Sequence, residues 1–133
     1  MLLASLLLGC RNNSRNERID EVSAGKGQIL FQNMGCATCH SLSGEKKYGP
    51  VLNDIYDREI EVVRRGKTVT VKVDREYIIR SIQNPGYEKV TTFQGQTMPV
   101  PNMSDEDIRC IAEYIVWINT QKQTESPKII EPE

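Results

Sequence analysis

The apolar positions of the chain change their period along its length, and each period predicts a different element. Between residues 104 and 120 they recur every three or four residues, the spacing of a helix face, and Ser104 is placed to cap the first turn. Two stripes together cover about half of this helix, which is wide for a surface helix. They consist of Ile108, Ile111, Ile115 and Ile118, and of Cys110, Tyr114 and Trp117. We expect the core to take both stripes; the alternative is that one edge meets a partner protein.

A second helix is predicted over residues 24–34, near the start of the folded part of the chain. Ser23 is in position to cap it, and Ile29 and Phe31 lie on its expected apolar face. Gly27 has no side chain, so it would allow a close crossing with another helix. The two predicted helices therefore lie near the two ends of the sequence of one domain.

Between these helices the pattern changes twice. Over residues 58–73 the period falls to two, and Arg64-Arg65-Gly66-Lys67 divides the stretch into the two strands of a β-hairpin. Because a two-stranded hairpin is marginal alone, we expect an exposed flap beside a helical domain. Residues 74–83 return to the helical period, and Asn84-Pro85-Gly86 ends that helix.

Composition narrows the function classes. Of the 133 residues, 38% are hydrophobic and 6% aromatic, so the predicted domain over residues 22–120 has a small core that a bound apolar cofactor would supplement. A net charge of −1 gives no reason to expect nucleic acid as a partner. Residues 58–80 hold seven basic and four acidic residues, whereas residues 104–133 hold three and seven. This asymmetry is either solvated surface or a field that steers a charged partner. Residues 121–133 form a polar tail.

The N-terminus has the pattern of a targeting segment. Residues 1–9 are almost wholly apolar but too few to span a bilayer, which takes about 20 residues, and Cys10 follows Gly9. This resembles the end of a bacterial lipoprotein signal, in which the cysteine is lipidated and becomes the mature N-terminus. The polar residues 10–21 would then be a tether, on the outer face of the bacterial cytoplasmic membrane or in the periplasm. The alternative is the remnant of an ordinary signal or anchor helix.

The chemistry-bearing motif is Cys36-Ala37-Thr38-Cys39-His40, the attachment pattern of c-type haem. Two thiols three positions apart on a tight turn can each add to one haem vinyl group. His40, the only histidine of the chain, then lies where its imidazole can bind the iron. The alternatives are a redox-active disulfide and half a zinc site, but zinc would need a second Cys/His pair that the sequence lacks.

Met98 is the expected sixth ligand of the iron. It lies in a Gly-Gln-Thr-Met-Pro loop able to reach the distal side, and a thioether suits haem iron. Met103 is the rival, but it directly precedes Ser104 and is better explained as a hydrophobic staple onto the following helix. Cys110 is expected to be a buried, inert thiol.

Over about residues 23–119 the chain resembles class I cytochrome c. The matching positions are Gly27, Phe31, Gly49-Pro50-x-Leu52, Arg58, Asn84-Pro85, Met98-Pro99 and Ile111-Ala112-x-Tyr114. The resemblance implies an all-α fold whose N- and C-terminal helices cross around one covalent haem c, with the hairpin as an insert. It also implies that the Pro50 carbonyl accepts a hydrogen bond from the ligand imidazole, and that Arg58 helps to hold a haem propionate. The insert is similar to the cytochrome c domain of haem–copper oxidase subunit II.

The expected function is one-electron transfer between respiratory-chain partners, without a small-molecule substrate. Two axial protein ligands leave no open iron position for catalysis, so we do not expect an enzyme. One alternative is a fixed haem-relay subunit of a larger complex, such as alternative complex III or a terminal oxidase. Another is a haem enzyme or gas sensor, which would need Met98 to be absent from the iron or easily displaced.

Overall fold

The computed structural model describes residues 18–121, which form four helices and one three-stranded antiparallel sheet. The elements in chain order are α1 (Glu21–Asn33), α2 (Cys36–Cys39), β1 (Glu59–Arg64), β2 (Lys67–Lys72), α3 (Arg75–Gln83), β3 (Lys89–Val90) and α4 (Asp105–Thr120). A 3₁₀ turn, Thr91–Phe93, follows β3. The expected all-α scaffold is therefore present, but the insert is a small sheet with one more strand than a hairpin.

Helix α1 begins three residues earlier than the sequence predicted, because Asp20 caps it instead of Ser23. The Asp20 carboxylate accepts hydrogen bonds from the backbone N–H groups of Val22 and Ser23 at 3.1 and 3.2 Å. The Ser23 hydroxyl donates to the same carboxylate at 2.8 Å, so it supports the cap rather than forming it. The helix ends before Gly35, whose φ of 77° is the left-handed conformation that glycine adopts without strain.

Helices α1 and α4 cross with their backbones in contact at Gly27. A Cβ atom at Gly27 would lie 1.9 Å from the carbonyl oxygen of Cys110, so only glycine fits this crossing. One turn further on, the rings of Phe31 and Tyr114 pack edge to face, with centroids 5.8 Å apart. Ile29 is 42% exposed, so its expected core position is wrong: it lies two residues from Phe31 and faces away from the crossing.

Helix α4 uses both of its apolar stripes within the domain. The Ser104 hydroxyl accepts a hydrogen bond from the N–H of Asp107 at 3.1 Å and caps the helix as predicted. Five stripe residues are buried: Ile108, Cys110, Ile111, Tyr114 and Ile115. Trp117 and Ile118 are half-buried and pack against the same core. The domain's own core therefore accounts for the unusual width of the stripe.

The sheet is anchored in the core at Val62 but is otherwise exposed or half-buried, so the expectation of an exposed flap holds for β2 and is wrong for the middle of β1. Strands β1 and β2 are joined by a two-residue turn at Arg65 and Gly66, both with positive φ, the geometry that suits a tight hairpin. On its other edge β1 pairs with β3, where Val62 lies opposite Val90. Val62 and Val73 are both 0% exposed. Burial of these valines among the helices supplies the support that an isolated hairpin lacks.

Several predictions concern residues outside the described range. The signal segment 1–9, the lipidation of Cys10 and most of the tether 10–21 precede it, and all but the first residue of the tail 121–133 follows it. Within residues 18–121, no helix is both long and apolar enough to cross a membrane.

Candidate functional site

The two thiols of the motif lie on the single-turn helix α2. Cys36 and Cys39 are three residues apart, so they lie on the same side of this turn. The N–H of His40 donates to the carbonyl of Cys36 at 3.0 Å and closes the turn. Both thiols are half-buried and unpaired, and burial raises the pKa of Cys36. The two free thiols therefore lie on the same side of α2, and no disulfide joins them.

The imidazole of His40 is held in one orientation by the loop that follows it. Its Nδ1 atom lies 2.8 Å from the carbonyl oxygen of Pro50. Because a carbonyl can only accept, Nδ1 carries the proton, and Nε2 of the neutral ring keeps its lone pair for a metal. Gly49 lies flat against the ring, since a Cβ there would be 2.7 Å from Cε1 of His40. The Gly49 N–H donates to the Cys39 carbonyl at 2.8 Å, which ties the loop to α2.

Asn119 fixes the next part of this loop to α4, a role that the sequence did not predict. Its side-chain N–H donates to the carbonyl of Leu52 at 2.7 Å, and its Oδ1 accepts from the N–H groups of Ile55 and Tyr56 at 2.8 and 3.1 Å. A fully bonded amide of this kind stabilises one loop conformation. An amide side chain in the last turn of an apolar helix could have suggested this role from the sequence. Its partners in the loop, however, lie more than 60 residues away in sequence.

Met98 lies in the irregular segment between the 3₁₀ turn and α4. It is half-buried and packs against the hydrophobic core, and so does Met103. Burial therefore does not distinguish the two methionines as ligands. Their positions in the chain do differ: Met103 is the last residue before the cap of α4, where a staple is expected, whereas Met98 belongs to the loop.

Arg58 lies on the surface in an ion pair. Its guanidinium donates to Oδ2 of Asp54 at 2.7 Å, and the side chains are 59% and 68% exposed. The neighbouring Asn53 has a buried amide oxygen without a hydrogen-bond partner in the described part of the chain. The propionate role of Arg58 stays a prediction.

A buried carboxylate next to β3 was likewise not predicted from the sequence. Glu88 has a side chain 1% exposed, and its two oxygens each lie 2.6 Å from a guanidinium, one of Arg64 and one of Arg80. Burial alone would raise its pKa, but the hydrogen bonds from the two arginines outweigh burial, so the pKa of Glu88 is lowered. The Tyr87 ring lies against both guanidinium groups, with distances of 5.1 and 5.6 Å to its centroid. This cluster joins β1, α3 and the approach to β3.

Cys110 is buried in the α1–α4 crossing, as expected, and forms no disulfide. Burial raises the pKa of its thiol, so the reactive thiolate is disfavoured at neutral pH. Within residues 18–121, no group of three or more His, Cys, Asp and Glu side chains converges as a metal site.

Comparisons with known proteins find the same family and fold for this domain. The model of the cytochrome c family matches residues 24–119. Cytochrome c from Rhodothermus marinus is 27% identical with a TM-score of 0.56, over 78% of this chain and 83% of that chain. An engineered cytochrome c from the same organism is 26% identical with a TM-score of 0.55, over 80% and 85%. Its structure with a bound carbene intermediate is 27% identical with the same TM-score and coverage. No curated protein matches the chain in sequence.

Proposed function

The chain belongs to the cytochrome c family, and on that premise we propose that it is a mono-haem electron carrier tethered to a membrane through Cys10. Family membership establishes covalently bound haem c as the cofactor and electron transfer as the activity, so the protein is not an enzyme in itself. The proposal adds the axial ligands, the lipid tether and the respiratory partners.

The residues of the motif fit haem c. Cys36 and Cys39 are free and lie on one side of α2, at the spacing that two vinyl groups require. The observation that carries the proposal is the 2.8 Å contact between Nδ1 of His40 and the Pro50 carbonyl. It leaves Nε2 as the ligand nitrogen, fixes the ring and raises its basicity. When bound, the haem supplies an iron that alternates between Fe(III) and Fe(II).

The surrounding side chains would hold the cofactor and exclude water. His40 and Met98 are the proposed axial ligands, a combination that raises the reduction potential relative to two imidazoles. Half-buried apolar side chains that pack against the core would line the pocket: Leu42, Leu52, Ile55, Ile79 and Met98. Arg58 is the group that we propose for a propionate, since its guanidinium is exposed and charged.

A membrane location and respiratory partners are supported by the N-terminal segment and by the distribution of charge along the chain. The apolar segment before Cys10 and the polar tether after it suit a lipid anchor on the outer face of the bacterial cytoplasmic membrane, facing the periplasm. The uneven charge of residues 58–80 and 104–133 suits docking to charged redox proteins. Neither a nucleic acid nor a small-molecule substrate has a place in this proposal.

Intact mass of the membrane-extracted protein tests attachment and tether together. We expect a chain that starts at Cys10 and carries one haem and a lipid. The control is Cys10→Ser, which should keep the haem and move the protein from the membrane to the soluble fraction. A wild-type mass without haem would overturn the function. Haem without lipid would overturn the tether alone, and stable co-purification with oxidase or quinol-oxidising subunits would replace the mobile carrier by a fixed relay.

Visible spectroscopy tests the sixth ligand. A methionine on ferric haem gives a weak sulfur-to-iron band at the red end of the spectrum, and we expect the wild-type protein to show it. Met98→Ala should lose the band and bind carbon monoxide when reduced. The matched Met103→Ala should keep the band, because Met103 serves α4 rather than the iron. Loss of the band in Met103→Ala alone would exchange the roles of the two methionines.

A further inference from the structure

The segment that carries Met98 has no regular secondary structure to fix it. We call residues 94–100 the methionine loop; they follow the turn Thr91–Phe93 and precede α4 by only a few residues. A methionine side chain is flexible, and its uncharged sulfur forms no ion pair that could fix it in place. The region that the sulfur can reach is therefore set by the backbone of the loop. Contacts that hold this backbone would therefore also hold Met98.

The first such contact comes from the sheet. Nζ of Lys89 donates to the carbonyl of Gln96 at 2.8 Å, a charge-assisted hydrogen bond to a residue two positions before Met98. Lys89 belongs to β3 and pairs with Val63 of β1, so its backbone is fixed by the sheet. The N–H of Gln96 donates in turn to the carbonyl of Phe93 at 3.1 Å. The sheet thus supports the methionine loop from one side.

The second contact comes from the loop beside His40. The N–H of Thr97 donates to Oη of Tyr48 at 3.1 Å. Tyr48 directly precedes Gly49, which lies against the His40 ring. The Tyr48 side chain is 52% exposed, so burial of its ring does not explain its position. The Tyr48 hydroxyl therefore links the loop that packs against His40 with Thr97, the residue before Met98.

We propose that Tyr48 and Lys89 form a clamp that positions the methionine loop over the haem. The inference rests on the proposed function, in which Met98 binds the iron. It also explains what the sheet insert contributes to the site. Strand β3 presents Lys89, and the preceding Glu88 anchors β3 through its buried ion pairs with Arg64 and Arg80. Both clamp residues are positioning residues, since they act on the iron only through Met98.

The test compares Tyr48→Phe, Lys89→Met and the double variant in the haem-loaded protein. We expect the sulfur-to-iron band to be lost at a lower temperature in each single variant, while carbon monoxide replaces the methionine about two- to tenfold faster, the range that one hydrogen bond can supply. The double variant should exceed both. Amide hydrogen exchange should rise in the methionine loop and stay unchanged in α1 and α4.

Two controls make the same chemical changes elsewhere. Tyr56→Phe removes a phenol oxygen that accepts from Arg75 at 3.2 Å, and Lys72→Met removes an exposed ammonium that pairs with Asp57 on the same sheet. Both should leave the band and the carbon monoxide rate at wild-type values. If these controls match the clamp variants, or if the double variant matches the wild type, the clamp is overturned.

Hydrogen exchange at Thr97 separates failure of the clamp from failure of the proposed ligand. If the wild-type protein lacks the band, Met98 is not the ligand and the proposed axial pair fails. Faster Thr97 exchange in Tyr48→Phe would still support the contact between the two loops. Equal Thr97 exchange in the two proteins would overturn it, and so would an increase spread evenly over the whole domain, which is the result of general destabilisation.

Discussion

The crossing of α1 with α4 and the junction of the sheet with α3 hold the same small domain together by different means. At the crossing, Gly27 lets one backbone touch the other at the carbonyl of Cys110, and apolar side chains fill the surroundings. At the junction, the carboxylate of Glu88 is buried between the guanidinium groups of Arg64 and Arg80. Shape complementarity hardly depends on pH, whereas an ion cluster depends on the charge of each member.

This difference matters for the site because each junction supports a different half of it. Helix α1 leads through Gly35 directly into the thiols of α2, so the crossing positions the attachment side. The Glu88 cluster anchors the approach to β3, and Lys89 of β3 contacts the methionine loop. We therefore expect changes at the crossing to destabilise the whole domain and changes at the junction to act first on the methionine side.

Gly27→Ala should have the largest effect. The added Cβ would lie 1.9 Å from a backbone carbonyl that cannot rotate away, so α1 and α4 must separate. We expect the free energy of unfolding to fall by about 3 kcal/mol or more, the upper end of overpacking costs, as measured by denaturant titration. The matched control is Gly86→Ala, where a Cβ meets open space, and stability should change little. A mild effect of Gly27→Ala would show that shape does not hold the crossing.

Glu88→Gln should have the next largest effect. The amide keeps the shape of the side chain but leaves two guanidinium groups facing each other without a counter-charge. Removing one partner of a buried ion pair costs about 3 to 5 kcal/mol, and because both arginines reach solvent we expect about 2 to 3 kcal/mol. The control Asp54→Asn breaks the exposed pair with Arg58 and should cost less than about 1 kcal/mol. Equal costs for the two variants would remove the distinction between buried and exposed charge.

Acid should weaken the junction more than the crossing, where the backbone contact at Gly27 does not titrate and the ion pair of Lys26 with Asp107 is partly exposed. The pKa of Glu88 is lowered from its ordinary value of 4.5 by its arginine partners against the opposing effect of burial. The stability that it contributes is therefore present above pH 4.5 and is lost as the pH falls through the lowered pKa of the folded state. Unfolding titrations between neutral pH and that range should show a smaller decline for Glu88→Gln than for the wild type. Asp20, whose pKa is also lowered by Ser23, contributes in the same direction to both proteins.

The parts of this fold that the sequence predicted are those coded by neighbouring residues. The helical period with Ser104 as a cap, the Arg65-Gly66 turn and the Cys-x-x-Cys-His spacing each lie within a few positions. The start of α1 was predicted wrongly because Asp20 and Ser23 are both good capping residues, and only the position of the helix decides between them.

The parts that escaped prediction depend on partners distant in sequence. Strand β3 has two residues, too few for a period, and it pairs only because β1 offers an open edge. Glu88 resembles any surface carboxylate until the fold places Arg64 and Arg80 around it. Asn119 resembles an ordinary polar residue at a helix end, although it fixes the loop after Pro50. The residues of the haem-attachment motif are therefore close together in sequence, whereas the residues that support the site come from distant parts of the chain.

Arg58→Gln should have the smallest effect on stability, because it changes an exposed ion pair, in contrast to the buried contacts of the crossing and the junction. Its ion pair with Asp54 lies in solvent, so we expect the free energy of unfolding to change by less than about 1 kcal/mol. If Arg58 also faces a haem propionate, removing its positive charge stabilises the ferric state, and a redox titration should give a lower reduction potential. The control is Arg65→Gln at the exposed hairpin turn, which removes the same charge away from the proposed pocket. A potential equal to that of Arg65→Gln would leave Arg58 with the surface pair alone and would assign the propionates to other donors.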